Sequence, residues 1–290
     1  YIRTKEGESV YVHRRGVGGA VTGDLVQAKK SKGRPGYAPT ASIVAIIERS
    51  AEPVVGIYRK TGASAYVIPR DETSHVNFIV GNPGDVDAED GYLVVVKVSP
   101  HRKGFTLPVC TVVEVLGHPD DPGVDVLAVA KRHGLTVTFP DEVIAAVESL
   151  PEAISAEDLK GRTDLRDAVI FTIDPVDAKD FDDAVSIEKD KNGIFRLGVH
   201  IADVAHYVRD GSPVDVEAGM RGMSCYLVDR VIPMLPERLS NNLCSLRPDE
   251  DRPTKSVFAT IDRHGHVVES HIANTVIHSR MRLTYEQVQA

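Results

Sequence analysis

The sequence predicts small β-barrels in tandem, followed by a mixed α/β domain. Three observations predict it. The first 118 residues form a run of short, β-branched segments separated by Gly- and Pro-containing turns. Residues 119–160 carry apolar residues at helical spacing. From residue 161 a continuous apolar strand, two long hairpin patterns and a helix follow one another. At 290 residues the chain is long enough for two or three domains. Its 42% apolar and 26% charged content are ordinary for a globular protein.

The first strand set is VYVHRR (10–15), TGDLVQAKK (22–30) and ASIVAIIE (41–48). The second is PVVGIYRK (53–60), SAYVIPRD (64–71), YLVVVKVS (92–99) and FTLPVCTVVEVLG (105–117). Both contain an aromatic–Val strand ending in arginine, VYVHRR and AYVIPR. Barrels of the oligonucleotide-binding (OB) type use such units. A first barrel is expected at 1–50, a strand or two short at its start, and a second at 51–118. Residues 119–160 are expected to be a helical connector. VDVLAVAKRHGL (124–135) stops at Gly134, PDEVIAAVESL (140–150) opens with Pro and two acids, and Ser155 with Asp158 three residues on reads as a helix cap.

Residues 161–290 make the α/β domain. AVIFTID (168–174) is a buried strand, DAVSIEKDKNGIFRLGVHIAD (183–203) a hairpin turning at Asn192-Gly193, and VDVEAGMRGM (214–223) a helix. Residues 254–279 read as a second hairpin around His264-Gly265, and TYEQVQA begins a helix capped by Thr284. The domain is expected to be incomplete at its C-terminal end.

Net charge is −8, but unevenly spread. Residues 1–70 hold twelve Lys/Arg against five Asp/Glu, whereas residues 71–160 hold six against sixteen. A phosphate-binding front joined to a cation-binding centre has this pattern; so does ordinary fluctuation of charge along a chain. The three cysteines (110, 225, 244) form no Cys-x-x-Cys pair, so no thiol redox or zinc-finger site is suggested, and a reducing, cytoplasmic setting is expected. No apolar run is long enough to span a membrane, and no phosphate-binding Gly-x-x-x-x-Gly-Lys-[Ser/Thr] loop occurs, so neither a membrane nor a nucleotide cofactor is expected. A monomer is expected.

TIDPVDAKDFDDA (172–184) carries the chemistry. Asp174, Asp177, Asp180, Asp182 and Asp183 fall within ten residues. Two carboxylates ~4 Å apart repel by roughly 4 kcal/mol at an effective dielectric near 20. Asp174 ends an apolar strand. In an extended KDFDDA, Asp180 and Asp182 share one face and Asp183 the other, and a bend would turn all three toward Asp174. Such a cluster needs a cation, and Mg²⁺ suits an all-oxygen set that keeps waters and meets substrate phosphates. A calcium EF-hand does not fit: from Asp180 the sixth and twelfth positions are Val185 and Lys191, from Asp174 they are Lys179 and Val185. A solvated acidic loop is the plain alternative; Phe181 and Ala184 within the loop weigh against it. His200 and His206 read as structural hydrogen-bonders, and His264 and His266 have no cysteine partners for zinc.

RTDLRDAVIFTIDPVDAKDFDDAVSI (162–187), GVHIADVAHYV (198–208) and MSCYLVDRVIPMLPERLSNNLCSLRPDEDRPT (223–254), in that order, resemble the catalytic RNB domain of the RNase II/RNase R family, most closely its RNase R branch. The resemblance covers the whole chain: two cold-shock-like OB barrels (1–50, 51–118), a connector (119–160) and the first part of the RNB domain (161–290). It implies a Mg²⁺-dependent hydrolytic exoribonuclease that digests single-stranded RNA processively from the 3′ end to nucleoside 5′-monophosphates. The family's motif aspartates fall on Asp174, Asp180, Asp182 and Asp183. Asp174 and Asp183 are expected to be direct metal ligands and Asp180 a direct or water-mediated one. Asp182 is expected to be the most sensitive for catalysis, through a second metal. Tyr226 matches a tyrosine that packs on a nucleotide near the 3′ end. Tyr11, His13, Arg14 and Arg15 resemble an RNA-binding cold-shock face. Lys29, Lys30, Lys32 and Arg34 form a basic loop, and Tyr66 and Arg70 are weaker second-barrel equivalents. The family's RNB domain is longer and an S1 domain normally follows it, so this chain alone is expected to hydrolyse RNA weakly or not at all. A non-catalytic RNA-binding relative with the same fold is the alternative.

Overall fold

In a computed structural model of the chain the described residues are 1–31, 39–70, 74, 76–100 and 107–290. They divide into two units, Tyr1–Val137 with Leu227–Arg230, and Thr138–Tyr226 with Val231–Ala290.

The first unit begins with β1 (Ile2–Arg3), β2 (Ser9–Val12), β3 (Leu25–Lys30) and β4 (Thr40–Glu48) in a sheet of order β1-β2-β4-β3. Alternation along β2 buries Val10 and Val12 against Ala41. VYVHRR is not one strand. It stops at Val12, because His13 turns its groups back on the chain: its carbonyl accepts from Gly16 N (2.7 Å) and its Nδ1 from Arg15 N (3.3 Å), closing a 3₁₀ turn over Arg14–Gly16. A closed barrel follows, built from β5 (Val54–Thr61), β6 (Ser64–Pro69), β7 (Phe78–Val80), β8 (Leu93–Val98) and β9 (Val109–Gly117) in the order β5-β6-β7-β9-β8. Tyr58, Val67, Phe78, Val94, Val96 and Cys110 fill its interior and are wholly buried. At Gly56 a Cβ would stand 2.4 Å from Val67 Cγ1, so the barrel wall needs glycine there. Outside it, α1 (Val124–Arg132) packs Val124 and Ala128 on Val55, Leu93, Val95 and Leu116.

The second unit is built on a seven-stranded sheet. Its elements are α2 (Asp141–Glu148), β10 (Thr163–Leu165), β11 (Phe171–Asp174), β12 (Asp183–Lys189), β13 (Phe195–Ala202), α3 (Val204–Tyr207), α4 (Pro213–Arg221), the short hairpin β14 (Cys225–Tyr226) and β15 (Val231–Ile232), β16 (Asp251–Ile261), β17 (Val267–His278), β18 (Met281–Thr284) and α5 (Tyr285–Gln289). The order is β10-β17-β16-β13-β12-β11-β18, with parallel pairs at both edges, β10 on β17 and β11 on β18. The core joins Ile170, Phe181, Ala184, Ala202, Leu246 and Ile277 to Val143 and Val147 of α2, Val214 of α4 and the π-turn residues Leu239 and Leu243. Thr284 caps α5 in a reciprocal capping box with Gln287. Ser155 and Asp158 exchange the hydrogen bonds of a cap, but only a turn follows, ended at Gly161 with φ +75°.

Within this sheet, a buried polar chain crosses four strands. Ser186 Oγ meets His200 Nε2 (3.1 Å), His200 Nδ1 meets Ser256 Oγ (2.7 Å), and Ser256 and Thr254 hydroxyls both meet Thr275 Oγ1 (2.5 Å each). His200 therefore acts structurally. Burial holds its pKa down, at about 4, against about 6.5 in an unfolded chain. The folded state thus binds fewer protons, so this stabilisation is whole above pH 6.5 and is lost as pH falls toward 4. Urea unfolding across that range should show a loss of up to about 3 kcal/mol from this group. In His200→Asn the curve should be flatter and the stability at pH 7 lower. An unchanged pH slope would remove His200 as its source.

Candidate active site

β11 carries the chain from the core to an acidic loop. Thr172 is wholly buried and Asp174 is 9% exposed. Pro175 ends the strand, and Ala178 N donates to Pro175 O (3.1 Å) to turn the chain back. The returning segment is pinned by Phe181. Its ring lies in the apolar core with Ile170, Leu239, Leu243 and Leu246. Its amide donates to Ser245 Oγ (3.1 Å) and its carbonyl accepts from Leu246 N (2.8 Å), while Ser245 Oγ donates to Lys179 O (3.1 Å). With Phe181 turned inward, Asp180 and Asp182 on either side keep access to solvent. Ala184 is buried next, and Asp183 opens β12 in register with Ile201.

The aspartates perturb one another. Burial raises the Asp174 carboxyl above its ordinary range and the charges of Asp183 and Asp180 add to the rise; the Thr172 hydroxyl and the Arg282 guanidinium oppose it. Asp182 is raised as well, first by desolvation, although it reaches solvent, and then by Asp180, Asp183 and Asp174. Asp174 Oδ2 is buried with no hydrogen-bond partner of normal geometry, and so is Thr172 Oγ1. An orphaned, buried carboxylate oxygen among like charges is an arrangement that a cation relieves, and an all-oxygen set fits a hard divalent ion. As it stands the cluster is open: among the described residues no three carboxylates, imidazoles or thiols are placed to share one ion. Asp183 lies on the face of β12 opposite Ala184, which is one reason.

Tyr226, on β14 and 70% exposed, stands beside this cluster. The charge of Asp180 is the main cause of its raised hydroxyl pKa; desolvation, Asp182 and a hydrogen bond to Asp180 add to it. Cys244 lies under the cluster: burial pushes its thiol up to about 12, with Asp182 adding to it, so it is not a nucleophile. Arg282 was not singled out from the sequence. Nothing in RMRLTY marks it, and only the parallel pairing of β18 with β11 brings it to Asp174.

Of the nucleic-acid candidates of the first unit, Tyr11, Lys29 and Lys30 lie on its first sheet. Tyr11 is 44% exposed and meets Tyr1 edge-on at 5.4 Å. His13 and Arg15 are exposed in the turn beyond β2, and Lys29 is exposed on β3. Lys30 is paired with Glu8 at 2.7 Å, which offsets its charge. Tyr66 is half-buried on β6, and Arg70 is exposed beyond its end. Lys32 and Arg34, like the side chain of Arg14, lie outside the described residues. No helix among the described residues is long and apolar enough to cross a membrane.

Raised carboxyls have a stability signature. A folded state that holds protons on Asp174 and Asp182 more tightly than the unfolded chain loses stability as pH rises through their elevated pKa values. Removing one crowded charge should therefore help the metal-free fold. Asp182→Asn is expected to raise its melting temperature at pH 7 by a few degrees and to change it less at pH 4. A fall at pH 7 would contradict the crowding.

Residues 162–290 match a family model described as RNB domain, and residues 66–140 one described as cold shock domain. Ribonuclease R of Thermotoga maritima is 46% identical over 253 residues, covering 86% of this chain and 36% of that protein. Ribonuclease R of Aquifex aeolicus is 35% identical over 292 residues, covering 100% of this chain and 41% of that protein. The chain thus spans well under half the length of these relatives. Among solved structures, RNase R of Mycoplasma genitalium in complex with ribose-methylated single-stranded RNA matches with a TM-score of 0.83 at 29% identity, covering 98% of this chain and 45% of that one. With an RNB domain match from residue 162 onward, a cold shock domain match before it, and Ribonuclease R relatives along nearly its whole length, residues 162–290 belong to the RNB-domain family and the chain as a whole is similar to Ribonuclease R.

Proposed function

We propose that this chain serves a Mg²⁺-dependent, hydrolytic 3′→5′ exoribonuclease that degrades single-stranded RNA processively to nucleoside 5′-monophosphates. The observation that carries this reading is the acidic cluster, with the orphaned oxygen of Asp174 within it and the exposed ring of Tyr226 beside it. Asp174 and Asp183 are the residues to hold Mg²⁺, and Asp180 to hold it directly or through water. When bound, the metal supplies charge stabilisation and an activated water for in-line displacement. Release of a 5′-monophosphate requires that the P–O3′ bond break, so the terminal phosphodiester has to lie beside Asp182. Asp182, crowded by three like charges, is the group on which hydrolysis depends most. Tyr226 offers a face on which any base can stack, which places the phosphodiester without reading sequence. Tyr11, His13, Arg14, Arg15, Lys29 and Lys30 are the accompanying contacts to single-stranded RNA. The enzyme works as a monomer in the cytoplasm, away from membranes, and without a nucleotide cofactor.

One observation favours a rival, a non-catalytic RNA-binding relative: the carboxylates are not placed to share an ion as they stand. The presence of all four motif aspartates favours catalysis. The experiment that decides is degradation of 5′-labelled single-stranded RNA by the full-length protein in Mg²⁺ or EDTA. Mononucleotides should be released from the 3′ end in Mg²⁺ and not in EDTA, and Asp182→Asn should lower kcat about 10²–10³-fold while RNA still binds. Binding without hydrolysis in the parent would establish the rival. Tyr226→Ala should weaken binding of an RNA 3′ end by ~1–3 kcal/mol, read from Kd; an unchanged Kd would leave Tyr226 as a packing residue.

A further inference from the structure

We infer that Arg282 is the positioning residue of the acidic cluster, tying together the two limbs of the loop between Asp174 and Asp183 from which a divalent cation would be held. This rests on the reading of those carboxylates as a cation site. Parallel pairing puts Arg282 in register with Thr172, so its side chain shares the face that carries Thr172 and Asp174. Its Nη2 donates to Pro175 O and to Val176 O (2.8 Å), the two carbonyls through which the chain leaves Asp174. Its guanidinium carbon stands 5.4 Å from the centre of the Phe181 ring. One side chain thus touches the outgoing limb of the loop at Pro175 and Val176 and the returning limb at Phe181.

The contacts suit arginine. A single Nη2 serves both carbonyl oxygens while the flat cation stays beside the Phe181 ring, and its charge near Asp174 does not titrate. A lysine at this position has the charge without the flat guanidinium. Arg282 Nε is buried without a hydrogen-bond partner, as is Asp174 Oδ2. An unpaired donor and an unpaired acceptor of opposite charge thus belong to one cluster, and the guanidinium charge favours the ionised form of Asp174. It acts through the loop.

Mn²⁺ titrated into the full-length protein, with free Mn²⁺ followed by electron paramagnetic resonance, tests this. Arg282→Lys and Arg282→Ala are compared with the parent and with Asp174→Asn. Loss of a group that orients metal ligands costs about 10–100-fold in metal affinity, and that loss is expected in both Arg282 variants. Added guanidinium should restore part of it in Arg282→Ala and none in Arg282→Lys, a difference that simple loss of stability does not produce. If Arg282→Ala fails to fold, Arg282→Lys, which keeps the stem and charge, decides the matter through its Mn²⁺ affinity. Parent-like Mn²⁺ binding in the Arg282 variants, with Asp174→Asn impaired, overturns this inference and leaves the cation site standing. A parent that binds Mn²⁺ no better than Asp174→Asn overturns the cation site, and this inference with it.

Discussion

The burial of Phe181 between Asp180 and Asp182 is the constraint on which the shape of the acidic loop depends. Its ring lies in the core, and the acids on either side therefore have to turn away from it. Burying an aromatic side chain is worth about 1.5–3 kcal/mol, and a backbone hydrogen bond such as those with Ser245 and Leu246 about 1 kcal/mol each. Repulsion between neighbouring carboxylates is of the same order when they are partly shielded by water. The apolar and hydrogen-bonding terms offset this repulsion, so the loop folds as a crowded structure of like charges. Stability is given up locally where the carboxylates crowd.

The buried chain from Ser186 through His200 and Ser256 to Thr275 and Thr254 serves the same end from below. Each hydroxyl or imidazole has a partner only when β12, β13, β16 and β17 stand in their observed register. A slip of one residue would send His200 to the other face and Asp183 with it. An apolar core tolerates such a slip better than a polar ladder does, because an unmatched buried donor costs about 1–3 kcal/mol. The polar chain therefore specifies which way Asp183 points.

Much of this was legible in local patterns. Apolar spacing and turn chemistry marked the hairpin at Gly193, the helix cap at Thr284 and the helices α1, α2 and α4. The buried Phe181 and Ala184 were legible as a hint that the acidic loop is tied to a core. Local patterns failed where the determinant is short or distant. Phe78–Val80 is too brief to show alternation, yet it closes the barrel. His13 ends a strand through hydrogen bonds that its neighbours' propensities do not reveal. Ser155 and Asp158 make the bonds of a cap without a helix to follow. Arg282 gains its meaning only from β18 lying beside β11, a pairing that no local pattern announces.

That edge pairing also imposes an order of assembly. Arg282 and Pro175 are 107 residues apart in sequence. At typical ribosomal speeds the second arrives roughly 5–20 s before the first. In that interval Asp174 is already made, but the strand that flanks it and the guanidinium that braces its loop are not. A nascent chain carries the acidic letters well before it can carry their geometry, and the loop gains its brace only once translation has passed β18.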